Sequence, residues 1–171
     1  MRAGVFWTAA VSACLLIAAV SAGRSTAQEI PAGWSVEIKP KGAILSYAPE
    51  KDGPRHLIVA CLRDTDELGV YSTGIGAPSS KPVTVMQLTN AGRKYSLRGD
   101  MGQDNISHQP AFRYETNIDA RALSIFRAEF MPMLAGKGPL TVAVGDKSQQ
   151  VPLAGVAEPL KKFSTSCFGR S

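Results

Sequence analysis

The chain has 171 residues and a formal net charge of +5, with 19 basic and 14 acidic side chains. A chain of this length suits one domain with its own hydrophobic core. The basic residues are dispersed and never form a run of five or six, which argues against a nucleic-acid-binding protein.

The first 27 residues are predicted to be a cleaved signal peptide, which would direct the protein to the periplasm or to secretion. Arg2 provides the positive start, an apolar run extends from Val5 to Val20, and small residues follow. A signal peptidase recognises this order. Cleavage after Ala22 and cleavage after Ala27 both fit, and we favour Ala27 because the chain becomes polar immediately afterwards.

Two other interpretations of this leader are less well supported. A retained anchor is disfavoured because the apolar run is shorter than the ~20 residues that span a bilayer. Lipidation at Cys14 would leave an apolar stretch at the start of the mature chain, where lipoproteins carry a polar tether. Cleavage after Ala27 removes two of the 19 basic residues, so 17 remain against 14 acids and the net charge becomes +3. Residues 28–171 are then expected to form one domain without a stable membrane span.

Most of the mature chain is predicted to be β-structure. Short segments alternate apolar and polar side chains or are rich in β-branched residues, and both patterns are typical of strands. Clusters of Gly, Pro, Asn and Asp separate them as turns. The predicted strands cover residues 34–38, 43–47, 56–62, 68–73, 83–88, 94–98, 112–116, 140–144 and 150–153, and residues 99–110 are expected to form a polar loop.

Two segments change to helical spacing. The first should be capped by Asp119, carry Phe126 and Phe130 on one face, be limited by Pro132 and end at Gly136. The second should begin near residue 155, because its proline is tolerated only in the first helical turn. Together the elements predict a mainly β, α+β fold. We expect a curled antiparallel sheet or small β-sandwich, with one or two helices packed on it and a helix at the C-terminus.

Two cysteines, Cys61 and Cys167, remain after removal of the leader. An even number in an exported domain favours a disulfide. Cys61 lies in the most apolar predicted strand and Cys167 on the apolar face of the last helix, so a bond would join these elements. Two unpaired buried thiols are the alternative, and a redox-active pair is disfavoured by the lack of Cys-x-x-Cys spacing.

No catalytic, cofactor-binding or metal-binding motif is recognised, so we expect a non-enzymatic protein without a cofactor. The sequence has no Gly-x-Ser-x-Gly, and Gly74-x-Gly76 is not followed by the third glycine of a phosphate-binding loop. Its two histidines, His56 and His108, are far apart. The cluster Asp100, Asp104, Asn105 and His108 lacks the spacing of a calcium loop and is interpreted as a solvated loop.

Three stretches resemble the invasion-associated locus B family of exported proteobacterial proteins. They are Gly33-Trp34-Ser35-Val36, the segment 133–142 and the segment 151–160. A cysteine commonly follows the tryptophan closely in that family, whereas Glu37 and Ile38 stand here. The resemblance implies a periplasmic or surface location, a β-rich fold, and no catalytic residues. A protein partner in the periplasm or at the cell surface is expected.

The segment 91–96 resembles one loop of the periplasmic lysozyme inhibitors, which are small, disulfide-bonded and β-rich. Their Tyr-Thr-Lys-Gly pattern is missing here. This resemblance implies an alternative function, namely an inhibitor or binding module for a cell-wall enzyme.

Overall fold

The computed structural model describes residues 31–76, 83–105 and 107–169. The predicted signal peptide, residues 1–27, lies outside these ranges. No helix within them is long and apolar enough to cross a membrane.

Nine antiparallel strands form one curled, open sheet, which confirms the predicted fold class. Their order across the sheet is β1-β2-β3-β4-β7-β6-β5-β8-β9. The strands are β1 (Gly33–Lys39), β2 (Gly42–Ala48), β3 (Leu57–Leu62), β4 (Glu67–Thr73), β5 (Thr84–Asn90), β6 (Arg93–Gln103), β7 (Pro110–Asn117), β8 (Leu140–Val144) and β9 (Lys147–Val151).

Strand β6 is longer than the sequence predicted, because residues 99–103 are strand rather than loop. Gly99 is the last residue of β6 paired with β5, and Asp100 is the first paired with β7. A Cβ atom at Gly99 would lie 2.0 Å from the carbonyl oxygen of Arg113. Only glycine therefore allows the close approach at which β6 changes partners.

The curl brings the two ends of the sheet together. The Trp34 Nε1 of β1 donates a hydrogen bond of 2.6 Å to the carbonyl of Pro152, just after β9. Gln149 of β9 donates through Nε2 to the His56 carbonyl at 3.0 Å and to Ser72 Oγ at 2.9 Å. Strand β9 thus lies near the start of β3, although five strands separate β9 from β3 in the sheet order.

The first helical segment consists of α1 (Ala120–Ile125), a π-helical turn (Phe126–Phe130) and α2 (Met131–Leu134). The Asp119 side chain accepts a hydrogen bond of 2.6 Å from the Ala122 amide, which confirms the predicted N-cap.

Pro132 is expected to limit this segment, but the helix continues through it to Leu134 and ends at the C-cap Ala135, next to the predicted end at Gly136. Proline has no amide hydrogen and its ring crowds the preceding turn. The backbone adapts by widening that turn, where the Met131 amide donates to the Phe126 carbonyl five residues earlier.

The C-terminal helix α3 (Ala157–Phe168) packs against β1 and β2. Cys61 of β3 and Cys167 of α3 form a disulfide with a Cα–Cα distance of 5.9 Å, as predicted. Both cysteines are fully buried. Their bond fixes α3 on the sheet.

Candidate binding groove

The two aspartates that the sequence suggested as metal ligands, Asp100 and Asp104, each bind a different side chain of the protein. Asp100 of β6 pairs with Arg113 of β7 at 3.0 Å. Asp104 accepts hydrogen bonds of 2.6 Å from both the amide and the hydroxyl of Ser107. Within the described ranges, no three His, Cys, Asp or Glu side chains are grouped to hold a metal ion.

His56, the other histidine noted in the sequence, lies immediately before β3. Its ring contacts that of Tyr47, with 6.5 Å between the ring centres. Partial burial lowers the pKa of its imidazole below the usual value. Its carbonyl accepts a 2.7 Å hydrogen bond from Ser72, a candidate nucleophile by residue type, so that hydroxyl serves the fold.

One polar cluster was missed by the sequence analysis. On the outer side of the sheet, the Tyr71 hydroxyl lies 2.5 Å from a carboxylate oxygen of Glu67 and 2.9 Å from one of Glu115. Burial and the two glutamates raise the pKa of Tyr71 well above its usual value. Since this cluster joins β4 to β7 and its phenol stays protonated, we interpret it as a cross-strand contact.

Within the described part of the chain, a surface groove lies between the first helical segment and α3, and we call it the helix groove. It consists of three adjoining depressions with volumes of about 640, 670 and 430 Å³. Arg127 and Pro132 line both the first and the second depression. Gly136 and Leu153 line both the second and the third. The three depressions therefore form one continuous groove.

The floor of the helix groove is apolar because the hydrophobic core reaches the surface there. Met131, Leu153, Val156 and Leu160 line its central part. Their side chains are 5–9% exposed, and within the described part of the chain they are the most exposed members of the buried core. Apolar side chains at such a site can bury further surface against a ligand.

The walls of the helix groove are basic. Arg63, Arg127, Lys137 and Lys161 line it, and none of its lining residues in the described ranges is acidic. Arg63 donates a 2.8 Å hydrogen bond to the Cys167 carbonyl at the end of α3. The side chains of Arg127 and Lys161 are exposed and make no ion pair with the residues that the structure describes.

The disulfide and three partly buried hydrogen bonds hold the two ends of the groove in place. Next to the Cys61–Cys167 bond, Ser166 of α3 donates a 2.7 Å hydrogen bond to the Gly42 carbonyl of β2. At the other end, buried Asn90 donates through Nδ2 to the carbonyls of Lys137 and Pro139, both at 3.0 Å. The groove is therefore supported by the sheet on both sides.

Gly136 is the residue that allows Asn90 to hold this end of the groove. A Cβ atom at position 136 would lie 1.9 Å from the Asn90 Oδ1. The chain leaving α2 therefore passes directly over the Asn90 amide, and a larger residue would displace it.

The sequence predicted both helical segments but not the groove between them. Helical spacing predicts which side chains lie on the apolar face of each helix. Only the three-dimensional placement of α3 shows which of these side chains reach the surface in the groove. No local pattern in the sequence distinguishes Arg127 and Lys161 from the other basic residues of these helices.

Comparison of the chain with protein-family models, with curated proteins and with solved structures gives no match.

Proposed function

We propose that this chain is an exported, non-enzymatic protein of the periplasm or cell surface that binds a protein partner along the helix groove. The observation that carries the proposal is the groove itself, where the core reaches the surface beside two exposed basic side chains, Arg127 and Lys161. Apolar surface with a charged rim is the usual composition of a protein interface.

The disulfide supports the exported location. Disulfides persist in oxidising compartments and are rare where thiols are kept reduced. The bond joins two residues that are 106 positions apart and fully buried, so it belongs to the folded core. The proposal includes kinship with the invasion-associated locus B family, whose exported and β-rich character agrees with the leader and the sheet.

Site-specific photocrosslinking in intact cells tests whether the groove meets a partner. A photoreactive benzoylphenylalanine replaces Ala128, which is exposed and lines the groove. The matched control replaces Gln87, an exposed residue of β5 outside the groove. We expect a light-dependent adduct of the exported protein from position 128 and none from position 87. Absence of an adduct at 128, or equal adducts at both positions, would contradict the proposal.

A second candidate function, inhibition of a cell-wall glycosidase, is favoured by the β5–β6 hairpin. Its tip is Ala91–Gly92, and the adjoining Arg93 and Lys94 are exposed. Glycosidases hold two catalytic carboxylates in their clefts, and a basic hairpin complements such a cleft. The test is lysozyme activity in the presence of the purified protein. Inhibition that is lost in Arg93→Glu/Lys94→Glu would establish this function, and full lysozyme activity at micromolar protein would dismiss it.

A further inference from the structure

We infer that the partner presents an acidic amphipathic helix to the helix groove. This inference rests on the proposed function and adds the chemistry of the partner. The shape of the groove and the charge of its walls both support this inference.

The shape of the groove matches a helix better than a small molecule. The lining residues extend along α3 from Ala157 to Phe168, which are its first and last residues. A helix of 12 residues is about 18 Å long at ~1.5 Å per residue. The groove is open to solvent over this length, whereas a small-molecule site encloses most of its ligand. Laying the apolar face of a helix into a groove is a recurrent mode of peptide recognition.

The charge of the groove selects an acidic partner. Arg127 projects from the π-helical turn and Lys161 from α3, so each wall contributes one basic side chain to the central depression. Acidic residues that flank the apolar face of a docked helix would meet both walls. Basic residues in those places would be repelled, because none of the described lining residues is acidic.

The chain's own segments are poor occupants of the groove. The leader carries Arg2 and Arg24 and no acidic residue. The first helical segment and α3 each contain two basic residues and one acidic residue. Neither the leader nor a helix of a second copy has a net negative charge, so the complementary helix belongs to a different protein.

The test uses the exported protein and two labelled peptides of about 18 residues, which make about five helical turns. Both carry leucine on one face, and the other positions are glutamate in one peptide and lysine in the other. By fluorescence anisotropy we expect the glutamate peptide to bind at least about tenfold more tightly than the lysine peptide. Arg127→Glu/Lys161→Glu should reverse this preference. The matched pair Arg98→Glu/Lys147→Glu, with the same change in charge at two exposed positions outside the groove, should leave it intact.

Equal binding of the two peptides, or an equal effect of the two double variants, would overturn the inference. Sedimentation with phosphatidylglycerol vesicles checks an anionic lipid as the occupant. Vesicle binding lost in Arg127→Glu/Lys161→Glu, without binding of the glutamate peptide, would also overturn it. A melting temperature and a far-ultraviolet circular dichroism spectrum like those of the natural protein show that each variant keeps the fold. A photocrosslink at position 128 without a peptide preference would contradict only the inference that the partner is an acidic helix. A missing crosslink would contradict the proposed function.

Discussion

Asn90 shows how one buried amide positions a surface that it does not line. It is 4% exposed and bonds two carbonyls of the connector that closes one end of the helix groove. A hydrogen bond of this kind contributes about 0.5–1.5 kcal/mol to the free energy of unfolding. The shape of this end of the groove therefore depends on a strand residue.

Asn90→Ala is expected to destabilise the protein by about 1–3 kcal/mol, because two carbonyls lose their donor. The free energy of unfolding in urea measures the loss. Gln87→Ala, at an exposed position on the same strand, is the control and should change it by less than ~0.5 kcal/mol. Equal stability of the two variants would show that the Asn90 bonds contribute little.

His56 should make the stability depend on pH. Burial lowers its pKa in the folded protein, so the unfolded chain binds a proton first, near its ordinary value of 6.5. The neutral imidazole therefore contributes to the free energy of unfolding above pH 6.5, and this contribution is lost as the pH falls below 6.5. We expect the melting temperature to fall less steeply between pH ~7.5 and ~5 in His56→Gln than in the natural protein. Parallel pH profiles would contradict the prediction.

At the scale of elements, α3 is one wall of the groove and its position depends on the disulfide. Cys167 occupies the last turn of the helix, and Cys61 lies in β3, where four of the six residues are buried. A cross-link between such distant residues stabilises chiefly by restricting the unfolded chain.

Cys61→Ser/Cys167→Ser should lower the free energy of unfolding by about 2–5 kcal/mol. It should also weaken binding of the glutamate peptide, since α3 is then held by packing alone. Chemical denaturation and anisotropy measure the two effects, with the reductant-treated natural protein as the comparison. Unchanged stability after reduction would mean that the bond does not support α3.

The elements of this fold could largely be predicted from local patterns. The alternation of apolar and polar side chains predicted the strands in their chain order. The spacing of Leu160, Phe163 and Cys167 predicted the buried face of α3. Two local features were not predictable. Strand β6 passes through Gly99 and Gly102, where no side chain marks the alternation, and the π-helical turn before Pro132 is an adjustment made by tertiary packing.

The site was beyond prediction because it depends on long-range arrangement. Strand β4 pairs with β7, and β5 and β6 lie beyond β7 in the sheet. Pairing of distant strands is not encoded in the periodicity of any one segment. The contact between the first helical segment and α3 follows from that arrangement, and so does the groove.

At the scale of the whole molecule, the proposed export predicts a defined mature chain. N-terminal sequencing of the native product should begin at Gln28, or at Gly23 if cleavage follows Ala22. Recovery of Met1 from a soluble cytosolic fraction would contradict both the export and the oxidising compartment proposed for this protein.

The central claim is that the helix groove is the binding surface, and mapping of backbone amide shifts by NMR tests it most directly. The isotopically labelled exported protein is titrated with the glutamate peptide. We expect shift changes concentrated at groove residues such as Ala128, Ala135 and Ser164, and none at Gln87 or Ser96 on the exposed side of β5 and β6. Changes concentrated at Gln87 and Ser96, or no changes at saturating peptide, would contradict the claim.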